Sequence, residues 1–229
     1  MWNQKMKAVT FSYDDGVTQD IRFIELLDRY SLRGTFNLNL GLQDYSKTFQ
    51  KSAITVHHNN RADIPEIYKN HEIAGHTMTH PHLEALSEAE IREQIHACQD
   101  GLRQLTGQNV VGMAYPYGTY DDRVLQIARE CGVKYARTTV QTERFDLPTS
   151  DLLVLNSTCR HANPKLLDLA RAFIESPADQ PQLFYLWGHT YEFDEFGTWD
   201  LIEEFCKIVA GRPEIFYGTN SEVLEPFMK

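Results

Sequence analysis

Short apolar runs alternate with segments of helical periodicity from one end of the chain to the other. The apolar runs predict strands at 7–13, 34–40, 71–76, 109–116, 134–140, 151–158, 182–189 and 214–219. The amphipathic segments predict helices at 18–32, 62–70, 87–107, 121–132, 163–176 and 198–211, followed by a short C-terminal helical segment. Alternation of this kind is typical of parallel βα units, so the sequence predicts an α/β fold.

The longest predicted helix has the clearest boundaries. Ser87, with Glu90 three residues later, forms a capping-box pattern at its start. Gly107 is suited to the left-handed residue that often ends a helix. Thr18 is a candidate N-cap for the first helix of the chain.

Two α/β architectures suit this order of elements. A closed or nearly closed βα barrel and an open doubly wound sheet both place helices outside parallel strands. The 229 residues fall near the short end of the barrel range, so a barrel would be incomplete or distorted. No linker rich in Pro, Gly or Ser, no repeat and no low-complexity tract divides the chain. The sequence favours the barrel and predicts a single domain over residues 1–229.

The charge of the chain narrows the class of partner. A formal net charge of −10 argues against non-specific nucleic-acid binding and against docking on an anionic membrane. No apolar run approaches the length of a membrane span, and the N-terminus enters a predicted strand without a long apolar segment. We therefore expect a cytoplasmic location, which favours a soluble intracellular substrate over a cell-wall polymer. Four scattered cysteines without a CxxC pair are expected to be reduced and buried.

Candidate chemistry gathers at the predicted strand ends, which form the functional face in either architecture. Asp14 and Asp15 end the first strand, and His76 ends the third. The segment 115–118 follows "VVGMA", and His189 follows "FYLWG". Several strand ends would thus deliver polar or aromatic residues to one rim, as an active site requires.

The stretch "EIAGHTMTHPHL" adds His80 four residues after His76. Two imidazoles and one carboxylate can hold a divalent ion and leave positions for water and substrate. Adjacent strand residues point to opposite sides, so one aspartate of "DDG" would bind metal and the other would act as a general base. Taken singly, each feature has a simpler interpretation. "DDG" is a common turn, the histidine pair is a surface feature, and His82 is a residue that binds no metal. The joint occurrence of these features at successive strand ends favours a metal site.

These residues resemble the motifs of the polysaccharide deacetylase family, also called carbohydrate esterase family four. "TFSYDDG" is similar to the first motif, TFDDG, and "HTMTH" matches the second, H-[ST]-x-x-H. "AYPYG" resembles the third, R-x-P-Y, and "LFYLWGH" the fifth, an apolar strand that ends in histidine. The motifs run in family order from residue 10 to residue 189, and the first two are the more specific.

The resemblance implies a distorted (β/α)7-type barrel with one divalent metal ion, commonly zinc. The ligands that it implies are Asp15, His76 and His80. Nitrogen and oxygen ligands also accept cobalt, nickel or iron, so the identity of the metal is open. The reaction implied is removal of acetyl groups from N-acetylated or O-acetylated sugars.

By the same resemblance, Asp14 is the base that activates water, and His189 protonates the departing amine. The backbone N–H near Tyr117 helps to hold the oxyanion of the tetrahedral intermediate. Aromatic side chains are expected to cluster around the site and to offer ring faces to a sugar, with packing on the barrel rim as the alternative for Tyr191 and Phe193. These side chains are Tyr115, Tyr117, Trp187, Tyr191 and Phe193.

Two positions depart from the family pattern. Ala114 stands where the third motif usually has an arginine that orients the catalytic aspartate, and Arg137 in "YARTT" is the candidate replacement. A fourth motif, which normally supplies an aspartate that tunes the acid histidine, is not recognisable. Asp146, His161 and Asp194 are candidates for that task, with a surface salt bridge or a satisfied polar contact as the alternative.

The sequence thus predicts a metal-dependent hydrolase acting on C–N bonds other than peptide bonds, with a small-molecule or oligosaccharide substrate. Hydrolysis of a cyclic amide or ureide on the same scaffold is an alternative, because the third-motif arginine is missing. A catalytically inactive carbohydrate-binding relative is another, which the full set of catalytic residues disfavours. The stretch 42–66 is expected to shape one side of the cleft, with His57 and His58 exposed. The exact substrate and the oligomeric state leave no mark in the sequence.

Overall fold

The strands of the protein build one large parallel sheet and one hairpin. A computed structural model describes residues 1–148 and 151–228. In chain order the strands are β1 (Lys7–Asp15), β2 (Gly34–Leu38), β3 (Thr48–Lys51), β4 (Ile54–His57), β5 (Glu72–Gly75), β6 (Gly112–Ala114), β7 (Tyr135–Gln141), β8 (Leu155–Ser157), β9 (Cys159–Arg160), β10 (Gln182–Gly188) and β11 (Ile215–Tyr217). Within the described residues, the large sheet has the order β8-β7-β6-β5-β2-β1-β10-β9, with β11 also paired to β1.

Helices lie between most of the parallel strands, as the alternating pattern predicts. They are α1 (Gln19–Arg29), α2 (Ile64–Ile67), α3 (Glu88–Thr106), α4 (Asp122–Glu130), α5 (Leu166–Glu175), α6 (Tyr191–Phe196), α7 (Trp199–Val209) and α8 (Asn220–Leu224). The capping box of Ser87 and Glu90 is confirmed, and Gly107 ends α3 in the left-handed conformation with φ 71°. Thr18 occupies the N-cap position of α1 but makes no side-chain capping bond.

The sheet closes into a barrel at Thr158. This residue alone separates β8 from β9, which are the two ends of the sheet order. The Thr158 N–H donates to the carbonyl of Tyr185 in β10 (2.9 Å), and its own carbonyl accepts from the N–H of Glu143 (2.9 Å). Because one residue joins both edges, the predicted distorted barrel is confirmed and the open doubly wound sheet is wrong.

Residues of β1 alternate between the helical layer and the barrel interior. Phe11 packs against Phe23 of α1 and Phe205 of α7, with ring centroids 6.1 and 5.9 Å apart. Ser12 faces the other way and accepts a hydrogen bond from Arg137 Nε of β7 (3.2 Å). The same alternation brings Asp14, two residues further on, to the top of a polar barrel interior.

The stretch 42–66 contains an antiparallel hairpin, β3 with β4, that the hydrophobic pattern did not predict. Each strand has only four residues, and their three apolar side chains, Phe49, Ile54 and Val56, form too short a pattern to predict a strand pair. The Phe49 ring meets the Tyr191 ring edge-on at 5.3 Å and holds the hairpin against α6. The expectation that His58 is exposed is wrong, because its ring packs beside Phe49 and is only 5% exposed. His57 is half-buried.

Two predicted strands are much shorter than their apolar runs. The run at 109–116 pairs only over β6, since Val110 is fully buried in the core outside the ladder. The run at 151–158 likewise pairs only over β8, although Leu153 is buried. Burial of apolar side chains by packing, rather than by strand pairing, accounts for the difference.

The remaining sequence expectations concern thiols and membranes. The cysteines are free and buried, as expected, and all lie within the described residues: Cys98, Cys131, Cys159 and Cys206. In the described part of the chain, no helix combines the length and the apolar character that a bilayer span needs.

Candidate active site

The C-terminal ends of the barrel strands surround a cleft of about 480 Å³. Its lining comes from β1, the hairpin β3–β4, the loop after β5, the turn after β6, and the ends of β9 and β10. Two groups of residues meet there. We call Asp15, His76 and His80 the histidine half, and Asp14, Arg137, His189 and Glu192 the arginine half.

The histidine half brings one carboxylate and two imidazoles together. One ligand atom from each of Asp15, His76 and His80 lies within 4.8 Å of the other two. The Nε2 of His76 is 3.7 Å from Oδ1 of Asp15, and the two imidazole rings meet edge-on with centroids 4.7 Å apart. The histidines predicted from the sequence therefore converge with Asp15 and not with Asp14.

Unusual backbone conformations produce this convergence. Asp15, Thr77 and His80 have positive φ angles of 81°, 67° and 58°, which side chains with a Cβ rarely adopt. The positive φ at Asp15 turns its side chain away from the strand alternation at the point where β1 ends. Such strained residues persist only where the surroundings hold them, and they cluster at functional sites.

Side chains from two other elements hold the loop 76–80 in place. Asn39 donates through Nδ2 to the carbonyl of His76 and, at 3.4 Å, to that of Thr77. Gln94 of α3 accepts from the N–H of Thr79 and donates to its hydroxyl, each at 3.0 Å. The loop is therefore anchored on both sides of the positive-φ residues.

The chemistry of the histidine half fits a divalent metal ion. Nδ1 of His76 lies 2.8 Å from the carbonyl of Ala114, a contact that assigns the proton to Nδ1 and leaves the Nε2 lone pair toward Asp15. That Nε2 is buried and has no hydrogen-bond partner among the described residues. Burial lowers the pKa of His76 and of His80, so both imidazoles are neutral, the form that binds metal.

The arginine half fixes Asp14 from two sides. Arg137 forms an ion pair with Oδ2 of Asp14, and Asn37 donates to Oδ1 at 2.8 Å. Both Asp14 and Arg137 are almost completely buried. Burial by itself would raise the pKa of Asp14, but the Arg137 guanidinium and the neighbouring imidazoles outweigh it and lower the pKa to about 2. Arg137 thus contacts Asp14 and supplies the guanidinium that the third motif lacks at Ala114.

The two adjacent aspartates differ sharply in their environment. Among the described residues no arginine forms an ion pair with Asp15, and burial, then the charge of Asp14, raise its pKa to about 8. An anionic Asp15 therefore requires a cation beside it, as a metal ligand does. The division of the pair into a metal ligand and a general base stays a prediction.

Glu192 contacts His189 on the side away from Asp14. Its Oε1 is 3.4 Å from Nδ1 of His189, while Nε2 of His189 is 4.0 Å from Oδ2 of Asp14. Glu192 is buried, pairs with Arg160, and places Oε2 3.0 Å from Nε2 of His161. Burial lowers the pKa of His189; the charge of Asp14 opposes this shift, whereas Arg160 and Arg137 add to it.

The sequence did not identify Glu192, and two of the three candidates for its position lie elsewhere. Asp146 pairs with Arg144 at the surface (2.5 Å). Asp194 accepts hydrogen bonds from Gln19 and Trp199. His161 does belong to the network, but it reaches His189 only through Glu192. The available signal was the spacing of His189 and Glu192, since residues three apart share one face of a helical turn.

The aromatic residues predicted around the site have different surroundings. The Tyr117 ring is 51% exposed on the rim, and its backbone has a positive φ of 59°. Tyr115 is buried and donates to the carbonyl of Leu153 (3.0 Å), so its ring cannot stack on a sugar. Trp187 and Tyr191 line the cleft but are nearly buried, and Phe193 is in the core. Packing, the alternative for Tyr191 and Phe193, therefore describes Phe193, whereas Tyr191 lines the cleft.

His82 lies outside the group of metal-ligating candidates. It is exposed, and its ring stacks on the Tyr117 ring with centroids 3.9 Å apart and planes 11° from parallel. The structure therefore assigns His82 to the support of Tyr117 rather than to the group of Asp15, His76 and His80.

Comparison with known proteins identifies the family. The family model for polysaccharide deacetylases matches residues 3–136, which is more than half of the chain. The chain belongs to the polysaccharide deacetylase family. A chitooligosaccharide deacetylase from Sinorhizobium fredii is 28% identical over 89 residues, 38% of this chain and 41% of the relative. The match therefore spans less than half of that relative's length.

Solved structures of carbohydrate esterase family 4 share the fold. A family 4 carbohydrate esterase from Streptomyces lividans, in complex with acetate, has a TM-score of 0.58 at 15% identity and covers 94% of this chain and 92% of its own. A family 4 pseudoenzyme from Bacillus anthracis has a TM-score of 0.56 at 18% identity and covers 98% and 66%. Identities this low establish the fold alone, and activity has to be argued from the site.

Proposed function

We propose that the protein is a metal-dependent hydrolase that removes acetyl groups from N-acetylated, and also O-acetylated, sugars or oligosaccharides. One observation carries the proposal. The donor set of Asp15, His76 and His80 opens onto the same cleft as Asp14 and His189, in a chain of the polysaccharide deacetylase family. A donor set, a base and an acid in one cleft are the parts that hydrolysis of an acyl group requires.

The histidine half would hold the divalent ion. Two imidazoles and one carboxylate suit zinc and leave positions open for water and substrate, while cobalt, nickel and iron accept the same donors. A bound ion there would polarise the acyl carbonyl and lower the pKa of water toward neutrality.

Asp14 would accept the proton of the attacking water. Arg137 and Asn37 hold its carboxylate in one orientation, so little reorganisation is needed when the proton arrives. The N–H of Tyr117, on the rim beside His80, would donate to the oxyanion of the tetrahedral intermediate.

His189 would protonate the departing amine. Its burial favours the neutral imidazole at rest, so the proton has to arrive during the reaction. Asp14, whose Oδ2 is 4.0 Å from Nε2 of His189, would pass on the proton that it takes from the attacking water, and Glu192 at Nδ1 would stabilise the imidazolium that forms. His189 would then pass the proton to the leaving nitrogen.

The position of Arg137 weakens the alternative of cyclic amide or ureide hydrolysis. That alternative depended on the absence of an arginine beside the catalytic aspartate, and Arg137 supplies one. The presence of both a base and an acid disfavours a protein that only binds carbohydrate, although the Bacillus anthracis pseudoenzyme shows that the fold alone does not ensure turnover.

Metal content and acetate release test the proposal together. We expect about one divalent ion per chain after loading with zinc or cobalt, and acetate release from N-acetylated chitooligosaccharides that stops on chelation and returns with metal.

Asp14→Asn should retain the ion and lose about 10²–10⁴-fold in turnover. Asp179→Asn, an exposed residue outside the cleft, is the control. Failure to take up any ion, or an Asp14→Asn variant with full turnover, would contradict the mechanism. A parallel panel of cyclic ureides distinguishes the alternative reaction.

A further inference from the structure

Three side chains that carry only hydrogen-bond donors line the cleft. They are Lys51, beside the Tyr191 ring, and Arg160 and Trp187, which lie next to each other. Lysine, arginine and tryptophan side chains carry donors and no acceptor. We call these three residues the donor wall.

Lys51 is held over the cleft by the hairpin. The Ser52 hydroxyl donates to Glu195 of α6 (2.5 Å), and Phe49 packs on Tyr191, so both sides of Lys51 are anchored. Its Nζ lies 5.7 Å from the centre of the Tyr191 ring. No carboxylate of the described residues lies within 4.0 Å of this exposed ammonium group. Its charge nevertheless acts on Asp15, whose pKa it lowers against the larger raising effects of burial and of Asp14.

Arg160 and Trp187 each bury a donor without an acceptor. Arg160 pairs with Glu192 through one terminal nitrogen and is one third exposed, yet its Nε is buried with no partner among the described residues. The indole N–H of Trp187 is likewise buried and unpaired there, in a side chain only 5% exposed. Leaving a buried donor without an acceptor is unfavourable, so each of these two donors calls for an acceptor that the protein itself does not supply.

The charge of the donor wall contrasts with that of the whole chain. With a net charge of −10, the protein repels anions at long range. A neutral acetamido sugar would give the unpaired ammonium group of Lys51 no charge to bind. An oxyanion would pair with the Lys51 ammonium group and accept hydrogen bonds from Nε of Arg160 and from the indole N–H.

We propose that the substrate carries an anionic group, a carboxylate, phosphate or sulfate, and that this group binds the donor wall beside the acylated nitrogen. The inference rests on the proposed function for the chemistry at the reacting carbon. It adds a class of substrate, an acidic acetamido sugar, and it assigns Lys51 and Trp187 as specificity-determining residues.

The first test compares substrates that differ only in charge. With zinc-loaded protein, we expect kcat/KM for acetate release to be about tenfold higher for at least one of N-acetylglucosamine 6-phosphate, N-acetylglucosamine 6-sulfate and N-acetylmuramic acid than for N-acetylglucosamine. These three substrates identify the kind of oxyanion. Lys51→Gln should abolish most of the advantage, and Trp187→Phe should reduce it while the ring is kept. Lys47→Gln, which removes the same charge from the same hairpin segment outside the cleft lining, should leave the advantage unchanged.

A binding measurement separates this inference from the proposed function. Calorimetric titration with glucuronate, glucose 6-phosphate, glucose 6-sulfate and glucose needs no acetyl group and no turnover. Binding of an acidic sugar that weakens in Lys51→Gln would support the donor wall even if no acetate were released. Turnover of neutral chitooligosaccharides with no preference for any acidic sugar would overturn the inference and leave the proposed function intact. If Lys51→Gln kept the preference for acidic sugars, the assignment of the donor wall as the binding site for the anionic group would be wrong.

Discussion

The histidine half and the arginine half of the site are built in different ways. His76 and His80 lie in one loop, and the positive φ angles of that loop bring them to Asp15. Asp14 and Arg137 are 123 residues apart in the chain and meet only because β1 and β7 face the same barrel interior. The first half therefore depends on local backbone conformation and the second on packing of the whole barrel. Substitutions in the two halves should therefore affect different properties: metal binding in the histidine half and the free energy of unfolding in the arginine half.

The largest effect is expected from removing a metal-ligating side chain of the histidine half. His80→Ala should abolish retention of a divalent ion and reduce turnover by about 10³-fold or more, because the ion supplies several kcal/mol of transition-state stabilisation. His80 is on a surface loop, so the free energy of unfolding without metal should change little. His82→Ala, two residues away and outside the ligand group, should retain the ion. Metal analysis after dialysis measures the difference, and full retention in His80→Ala would remove this residue from the ligand set.

The matching change in the arginine half should unfold the protein more easily. Arg137→Met leaves the Asp14 carboxylate buried without its ion pair and should lower the free energy of unfolding by about 3–5 kcal/mol. Arg129→Met removes one partner of the exposed pair with Asp151 and should cost no more than about 1 kcal/mol. Urea titration of both variants in the absence of metal provides the comparison. Equal losses would show that Arg137 contributes no more than a surface pair.

A smaller effect is expected where the arginine half acts on the chemistry rather than on the fold. Glu192→Gln keeps the shape of the side chain but removes the charge beside Nδ1 of His189, so turnover should fall about 10–100-fold. Metal content should stay at the wild-type level. Asp194→Asn, two residues later and bonded to Gln19 and Trp199, should keep wild-type turnover. Single-turnover acetate release with loaded protein measures the effect, and wild-type rates in Glu192→Gln would show that His189 needs no carboxylate partner.

The same contrast explains what the sequence could and could not predict. The alternation of strands and helices predicted the parallel βα units, because hydrophobic periodicity records which face of each element is buried, whereas the closed barrel was favoured by chain length and by the family resemblance. The histidine half was predictable because its members are set by short spacings at strand ends, "DDG" and "HTMTH". The hairpin β3–β4 escaped prediction, since its four-residue strands carry only three apolar side chains between them.

The arginine half was only partly predictable because its contacts are long-range. Arg137 was a candidate by its position on the next strand, but nothing in the sequence showed that its guanidinium reaches across the barrel to Asp14. Glu192 was missed because "HTYEF" gave no sign of the short helix α6 that places it under His189. Pairings between distant strand ends depend on sheet order and closure, which periodicity does not encode.

The smallest effect is expected from a residue that touches neither the metal ligands nor the substrate. Gln94 of α3 holds Thr79 by two hydrogen bonds, so Gln94→Ala should loosen the loop 76–80 and weaken metal affinity about tenfold. Lost hydrogen bonds should also lower the free energy of unfolding by about 1 kcal/mol. Ser87→Ala removes the capping box at the start of the same helix, with a loss of about 1 kcal/mol and no contact with the loop.

Competition with a chelator measures metal affinity in both variants. Weakened affinity in Gln94→Ala alone would show that the conformation of the loop, and not the general stability of α3, fixes the histidine half. Equal affinities would mean that the positive-φ backbone and Asn39 suffice to hold the two histidines in place.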